Sequence, residues 1–168
     1  MLCTRACLRE IVWFGGSRYV TLLLPMRPAS RILRRALEKE GLVEKERTAL
    51  TVVYRGNYDN ERFMALKRSL NLYSLYSSGL VSSLVEFYRI PECIILFGSY
   101  AKGEDTKESD IDIAIMTGMK DYPELEIYED CLKRKISLHL IENSKNEEKE
   151  FINSLANGIV LYGYLELV

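Results

Sequence analysis

Two aspartates one residue apart, Asp110 and Asp112, stand in the apolar run Ser109-Asp110-Ile111-Asp112-Ile113-Ala114-Ile115. Side chains of a strand alternate faces with period two, so both carboxylates point one way while Ile111, Ile113 and Ile115 fill the opposite face. Like charges held side by side repel each other. A divalent cation between them resolves the conflict, and hard oxygen ligands suit Mg²⁺. Upstream lies Gly98-Ser99-Tyr100-Ala101-Lys102-Gly103, a glycine-serine turn opening a helix, where backbone N–H groups and a hydroxyl are offered to an anion. Phosphate and metal are the chemistry such a pairing handles. The elements that must position it are a short buried strand, Cys93-Ile94-Ile95-Leu96-Phe97, which delivers the chain to the turn, and the strand holding the aspartates.

The segment from Ile94 to Ile115 resembles the active-site motif of the polymerase-β-like nucleotidyltransferase superfamily: a hydrophobic strand, Gly-Ser, a short spacer, then Asp-hydrophobic-Asp-hydrophobic. The wording Gly-Ser-Tyr-Ala-Lys-Gly and Ser-Asp-Ile-Asp-Ile is most similar to the minimal nucleotidyltransferases of bacteria and archaea. The resemblance implies that Gly98 and Ser99 bind the phosphates of a nucleoside triphosphate and that Asp110 and Asp112 bind Mg²⁺. It also implies that Lys102, where such proteins often carry arginine, neutralises phosphate. Transfer of AMP from ATP to a hydroxyl acceptor is the implied reaction, and a small helical toxin of the HEPN type is an implied partner, which would make the chain antitoxin-like.

One position departs from that pattern. Active members usually carry a further acid on a neighbouring strand, here the segment Lys135-Ile136-Ser137-Leu138-His139-Leu140-Ile141-Glu142, after a charged helix expected over Tyr122 to Arg134. Ile136, Leu138 and Leu140 share one face, and Ser137, His139 and Ile141 the other. The resemblance puts the acid at Ser137, which brings no charge. His139, the chain's single histidine, lies on that face and is either a structural residue or a metal ligand or base. Glu142 has the wrong parity for the face.

Composition is that of a globular chain, with 48% hydrophobic and 28% charged residues among 168. Residues 1–57 carry 11 Lys/Arg against 5 Asp/Glu, and residues 58–168 carry 12 against 19, so a net charge of −1 hides a basic front and an acidic remainder. That split suggests two modules with different partners, the basic one a candidate for nucleic acid. Cysteines at 3, 7, 93 and 131 show no paired metal-ligand spacing, so reduced thiols and a cytoplasmic setting are expected. The apolar stretch Ile11–Met26 is broken by Gly15, Gly16 and Arg18 and is too short to span a bilayer, so no membrane is expected.

Pro28 to Gly41 reads as a helix, with Ile32, Leu33, Ala36 and Leu37 as its apolar stripe and Arg31, Arg34 and Arg35 on the opposing face. Extended segments near Val43–Lys45 and Leu50–Arg55 follow. Helix, Gly-Leu-Val exit and hairpin resemble the second half of a winged helix-turn-helix domain over residues 27 to 55. By that likeness Arg31, Arg34 and Arg35 face DNA, with Arg47 and Arg55 near the wing. Such proteins are often dimers. A winged helix needs two earlier helices, which Cys3–Trp13 and Ser17–Leu24 would supply. Further helices are expected from Asn57 to about Leu72 and over Leu80–Tyr88, parted at Gly79, then one reaching Ala156 and a last strand at Gly158–Gly163. Three regions are expected: a winged-helix-like module at 1–57, a helical connection at 58–90, and an α/β (α+β) nucleotidyltransferase-fold domain with a small mixed sheet at 91–168. The activity class that the resemblance implies is a nucleotidyltransferase. The alternative is a DNA-binding regulator or antitoxin whose nucleotidyltransferase-like domain binds nucleotide or a partner with little turnover.

Overall fold

Every residue of Cys93–Phe97 is buried, which is what a continuous apolar pentapeptide achieves only as a central strand covered on both faces. A computed structural model of the chain describes residues 14–15, 20–21, 28–47, 52–142 and 147–166, in two compact units, Met1–Lys67 with Thr106–Glu108, and Arg68–Asp105 with Ser109–Val168.

In the second unit this strand, β5, pairs antiparallel with β6 (Ile111–Met116) and with β8 (Ile159–Gly163), and β6 pairs parallel with β7 (Ile136–Ile141). The mixed sheet runs β7-β6-β5-β8. Period-two alternation divides its side chains. Ile94, Leu96, Ile111, Ile113, Ile115 and Ile136 pack with Leu75 of α2 (Glu61–Ser78) and with Leu80, Val81 and Leu84 of α3 (Leu80–Phe87). Cys93, Ile95, Phe97, Ala114, Met116 and Ile141 pack on the other face with Leu155, Phe151 and Ile152 of α6 (Lys149–Ala156). Each fully buried Leu or Ile contributes about 2 kcal/mol, so both faces matter to stability. The helix α5 (Glu126–Leu132) links β6 to β7 and α4 (Gly98–Lys102) links β5 toward β6. Pro123 delays α5, because the residue before a proline is pushed out of the helical region; the expected start at Tyr122 is corrected to Glu126. In the other direction α2 runs on to Ser78, ending only where Gly79 turns with φ 81.

A buried polar knot ties the loop after α4. Asp105, only 3% exposed, accepts from Asn71 Nδ2 at 2.9 Å and pairs with Arg134 Nη2 at 3.4 Å, while Asn71 Nδ2 also donates to the Tyr100 carbonyl at 2.9 Å. Burial, aided by the Asp105 charge, pushes the Tyr100 hydroxyl up to about 12. Replacing Asp105 with Ala removes the carboxylate that the Arg134 guanidinium and the Asn71 amide share, leaving the amide its bond to the Tyr100 carbonyl. The variant is expected to lose about 3 kcal/mol of stability by denaturant titration, against less than half that for a surface acid such as Glu108.

In the first unit α1 (Pro28–Lys39) is followed by the hairpin of β3 (Val43–Arg47) and β4 (Val52–Gly56), with Val43 opposite Gly56 and Arg47 opposite Val52. Asn57 and Asn60 each donate Nδ2 to the Gly41 carbonyl at 3.0 Å, and Asn60 Oδ1 accepts from the Arg62 and Phe63 N–H groups, capping α2. The apolar stripe expected on α1 is not buried: Ile32 is 72% and Leu33 46% exposed. Val20–Thr21 forms a strand (β2) paired with Phe14–Gly15 (β1), so the helix expected over Ser17–Leu24 is corrected there; Cys3–Trp13 lies outside the described residues.

Candidate functional site

Glycine at 98 is a steric requirement. Its φ is +73°, and a Cβ placed there would overlap the Asp112 carboxylate. The contact follows from register, since Phe97, the last residue of β5, stands opposite Asp112. The Gly98-Ser99 turn and Asp112 are therefore in direct contact. Asp112 is half-buried, and its carboxyl is pushed above the usual range by desolvation, an effect opposed by His139 and reinforced by Asp110. Asp110 is exposed and stands one residue before β6. Ser99 is half-buried, and Lys102, at the end of α4, is exposed, its carbonyl accepting from Arg68 Nε at 2.7 Å.

On the neighbouring strand Ser137 stands beside Asp112 in the parallel register, where the resemblance puts an acid. Its Oγ lies 3.3 Å from His139 Nε2. The imidazole packs edge-on against Phe97 at 5.2 Å and beside Phe151 at 5.6 Å, so His139 belongs at once to the aromatic wall and to the Asp112 face. Glu142 is exposed, past the end of β7.

The match to the family model "Polymerase beta, Nucleotidyltransferase" covers residues 81–166. The chain belongs to that family. Two proteins of Methanocaldococcus jannaschii, both provisionally named as protein adenylyltransferases, are similar to it: one is 40% identical over 38% of this chain and 61% of its own length, the other 47% identical over 27% and 44%. The chain thus spans about half the length of the curated relatives it matches. No solved structure gives a significant match. The mixed α/β architecture agrees with a nucleotidyltransferase fold.

Among the described residues no three Asp, Glu, His or Cys side chains converge closely enough to enclose a metal ion. Two carboxylates suit Mg²⁺ nonetheless, because that ion is held through one or two carboxylates together with substrate phosphates more often than in an all-protein cage.

Several supporting residues carry no signature in the sequence. Glu129 of α5 accepts the Ile136 N–H at 2.9 Å and pairs with Lys135 at 3.3 Å; the backbone hydrogen bond holds its carboxyl below the ordinary range and pins the start of β7. Asn71, Asp105 and Arg134 fix the loop leading back to Asp110. Nothing in local spacing marks them.

The arginines of the first unit are placed as follows. Arg31 lies in α1; Arg34 is half-buried with its guanidinium over the Tyr54 ring at 5.6 Å; Arg35 and Arg47 are exposed; Arg55 pairs with Glu46. Among the described residues Cys93 is buried and Cys131 exposed, both as free thiols, and no helix is long and apolar enough to cross a membrane.

Proposed function

We propose that the chain transfers a nucleotide, AMP from ATP, to a hydroxyl on an acceptor. The observation that carries this reading is the contact of the Gly98-Ser99 turn with the Asp112 carboxylate, which joins a phosphate grip to an acid. Gly98, Ser99 and Lys102 hold the triphosphate. Asp110 and Asp112 hold Mg²⁺, which when bound supplies charge neutralisation at the α-phosphate. Positioning and electrostatics account for most of the acceleration in such chemistry. A protein hydroxyl is the favoured acceptor, in line with the names of the two relatives. Under this reading the purified chain binds ATP in the presence of Mg²⁺ and moves label from α-labelled ATP onto protein; an absence of both binding and transfer refutes it.

A second reading, DNA binding by the first unit, is favoured by a helix followed by a hairpin and by the exposed Arg35 and Arg47. The Arg35→Ala/Arg47→Ala variant is then expected to weaken DNA binding at every sequence tested. Its affinity should fall less steeply with salt, the logarithmic slope dropping by about 2. Wild-type chain that shows no gel shift at low salt removes this reading.

A further inference from the structure

We infer that the Ser137 hydroxyl is itself an acceptor for the nucleotidyl group, so that the chain modifies its own strand β7. The inference rests on the transfer chemistry proposed above and extends it to a particular atom. Three observations converge on Ser137. The parallel register sets it directly beside Asp112, the carboxylate against which the Gly98 turn packs. Its Oγ lies 3.3 Å from His139 Nε2. Both residues are half-buried, so neither is sealed inside the core. A serine hydroxyl is a weak nucleophile until an adjacent base takes its proton, and a histidine nitrogen within hydrogen-bond reach is the common means. The ring itself is packed against Phe97 at 5.2 Å and Phe151 at 5.6 Å between centroids, which restricts its plane.

The step balances without any redox partner. With His139 protonated at Nδ1, Nε2 accepts the Ser137 O–H proton as Oγ attacks the α-phosphorus of a nucleoside triphosphate. The new bond is Oγ–P. The bond from the α-phosphorus to the bridging oxygen breaks, and pyrophosphate leaves with that electron pair. The proton on His139 passes to solvent, leaving a nucleotidyl phosphodiester on Ser137.

The test uses the full chain incubated with ATP and Mg²⁺, followed by intact-mass measurement and peptide mapping. The expected result is one added nucleotide per chain on the peptide containing Ser137. The adduct is absent in Ser137→Ala and retained in Ser137→Thr, and it forms roughly a hundredfold more slowly in His139→Gln. Ser137 that stays unmodified, or an adduct that maps elsewhere, overturns the inference. Equilibrium binding of ATP and label transfer to other proteins, measured on the same sample, separate the two failures. If either persists with Ser137 unmodified, only this inference falls; if neither occurs, the nucleotidyltransferase reading falls with it.

Discussion

Asp112→Asn is expected to abolish nucleotidyl transfer, by about a thousandfold or more, while leaving the chain folded. The magnitude follows from the several kcal/mol that charge neutralisation supplies at a transferring phosphoryl group, each factor of ten in rate being worth about 1.4 kcal/mol. Asparagine keeps the shape of the side chain and the space beside Gly98 but loses the charge. The stability expectation has the opposite sign. Desolvation raises the Asp112 carboxyl above its ordinary value, so the folded chain holds that proton more tightly than the unfolded chain does. Stability from this group is therefore greatest at low pH and declines as pH rises through the carboxylate range toward the raised value. Once ionised, the half-buried carboxylate is a liability that asparagine lacks. The variant should melt at or above the wild-type temperature without nucleotide, and should gain less stability when ATP and Mg²⁺ are added. Transfer near the wild-type rate would remove Asp112 from the site. A collapse of the melting temperature would make it a structural residue.

That trade between stability and chemistry explains which parts of the site were legible in the residues alone. Ile111, Ile113 and Ile115 alternate with Asp110 and Asp112, and the period of two places the isoleucines in the core under α2 and α3, with Asp112 on the opposite face. The same parity set Ser137 and His139 on one face of β7, and the register put Ser137 beside Asp112. Alternation is visible because it is local. What stayed hidden acts through space: Asn71 and Asp105 are 34 residues apart, and no spacing rule links them to Arg134. Glu129 reads as one more charge in a charged helix until its carboxylate is seen on the Ile136 N–H. The α1 stripe misled for a related reason, since periodicity shows that a helix has an apolar face without showing what covers it, and Ile32 and Leu33 remain exposed. Gly98 was legible as a turn glycine; that its missing side chain leaves room for a carboxylate was not.

Gly98→Ala should therefore be costly twice over, and two other glycines separate the costs. At Gly98 the backbone has φ +73°, which an alanine adopts only at a penalty of about 1 kcal/mol, and the added Cβ meets the Asp112 carboxylate. Relief requires the turn or the aspartate to move, and a displacement of about 1 Å at a reacting centre costs roughly a hundredfold in rate. Gly79 has a comparable φ of +81° but nothing within 4 Å of the point where a Cβ would stand, so Gly79→Ala carries the backbone strain alone. At Gly118 nothing lies within 4 Å and no left-handed φ is imposed, so Gly118→Ala carries neither. Melting temperatures should rank Gly118→Ala near wild type, Gly79→Ala a few degrees lower, and Gly98→Ala lowest, with a total loss of about 1–3 kcal/mol. Transfer from α-labelled ATP should fall about a hundredfold in Gly98→Ala alone. If Gly98→Ala loses stability only to the extent of Gly79→Ala and keeps its transfer rate, the turn and the carboxylate do not work as one site, because the contact between them could then be disturbed without consequence for the chemistry.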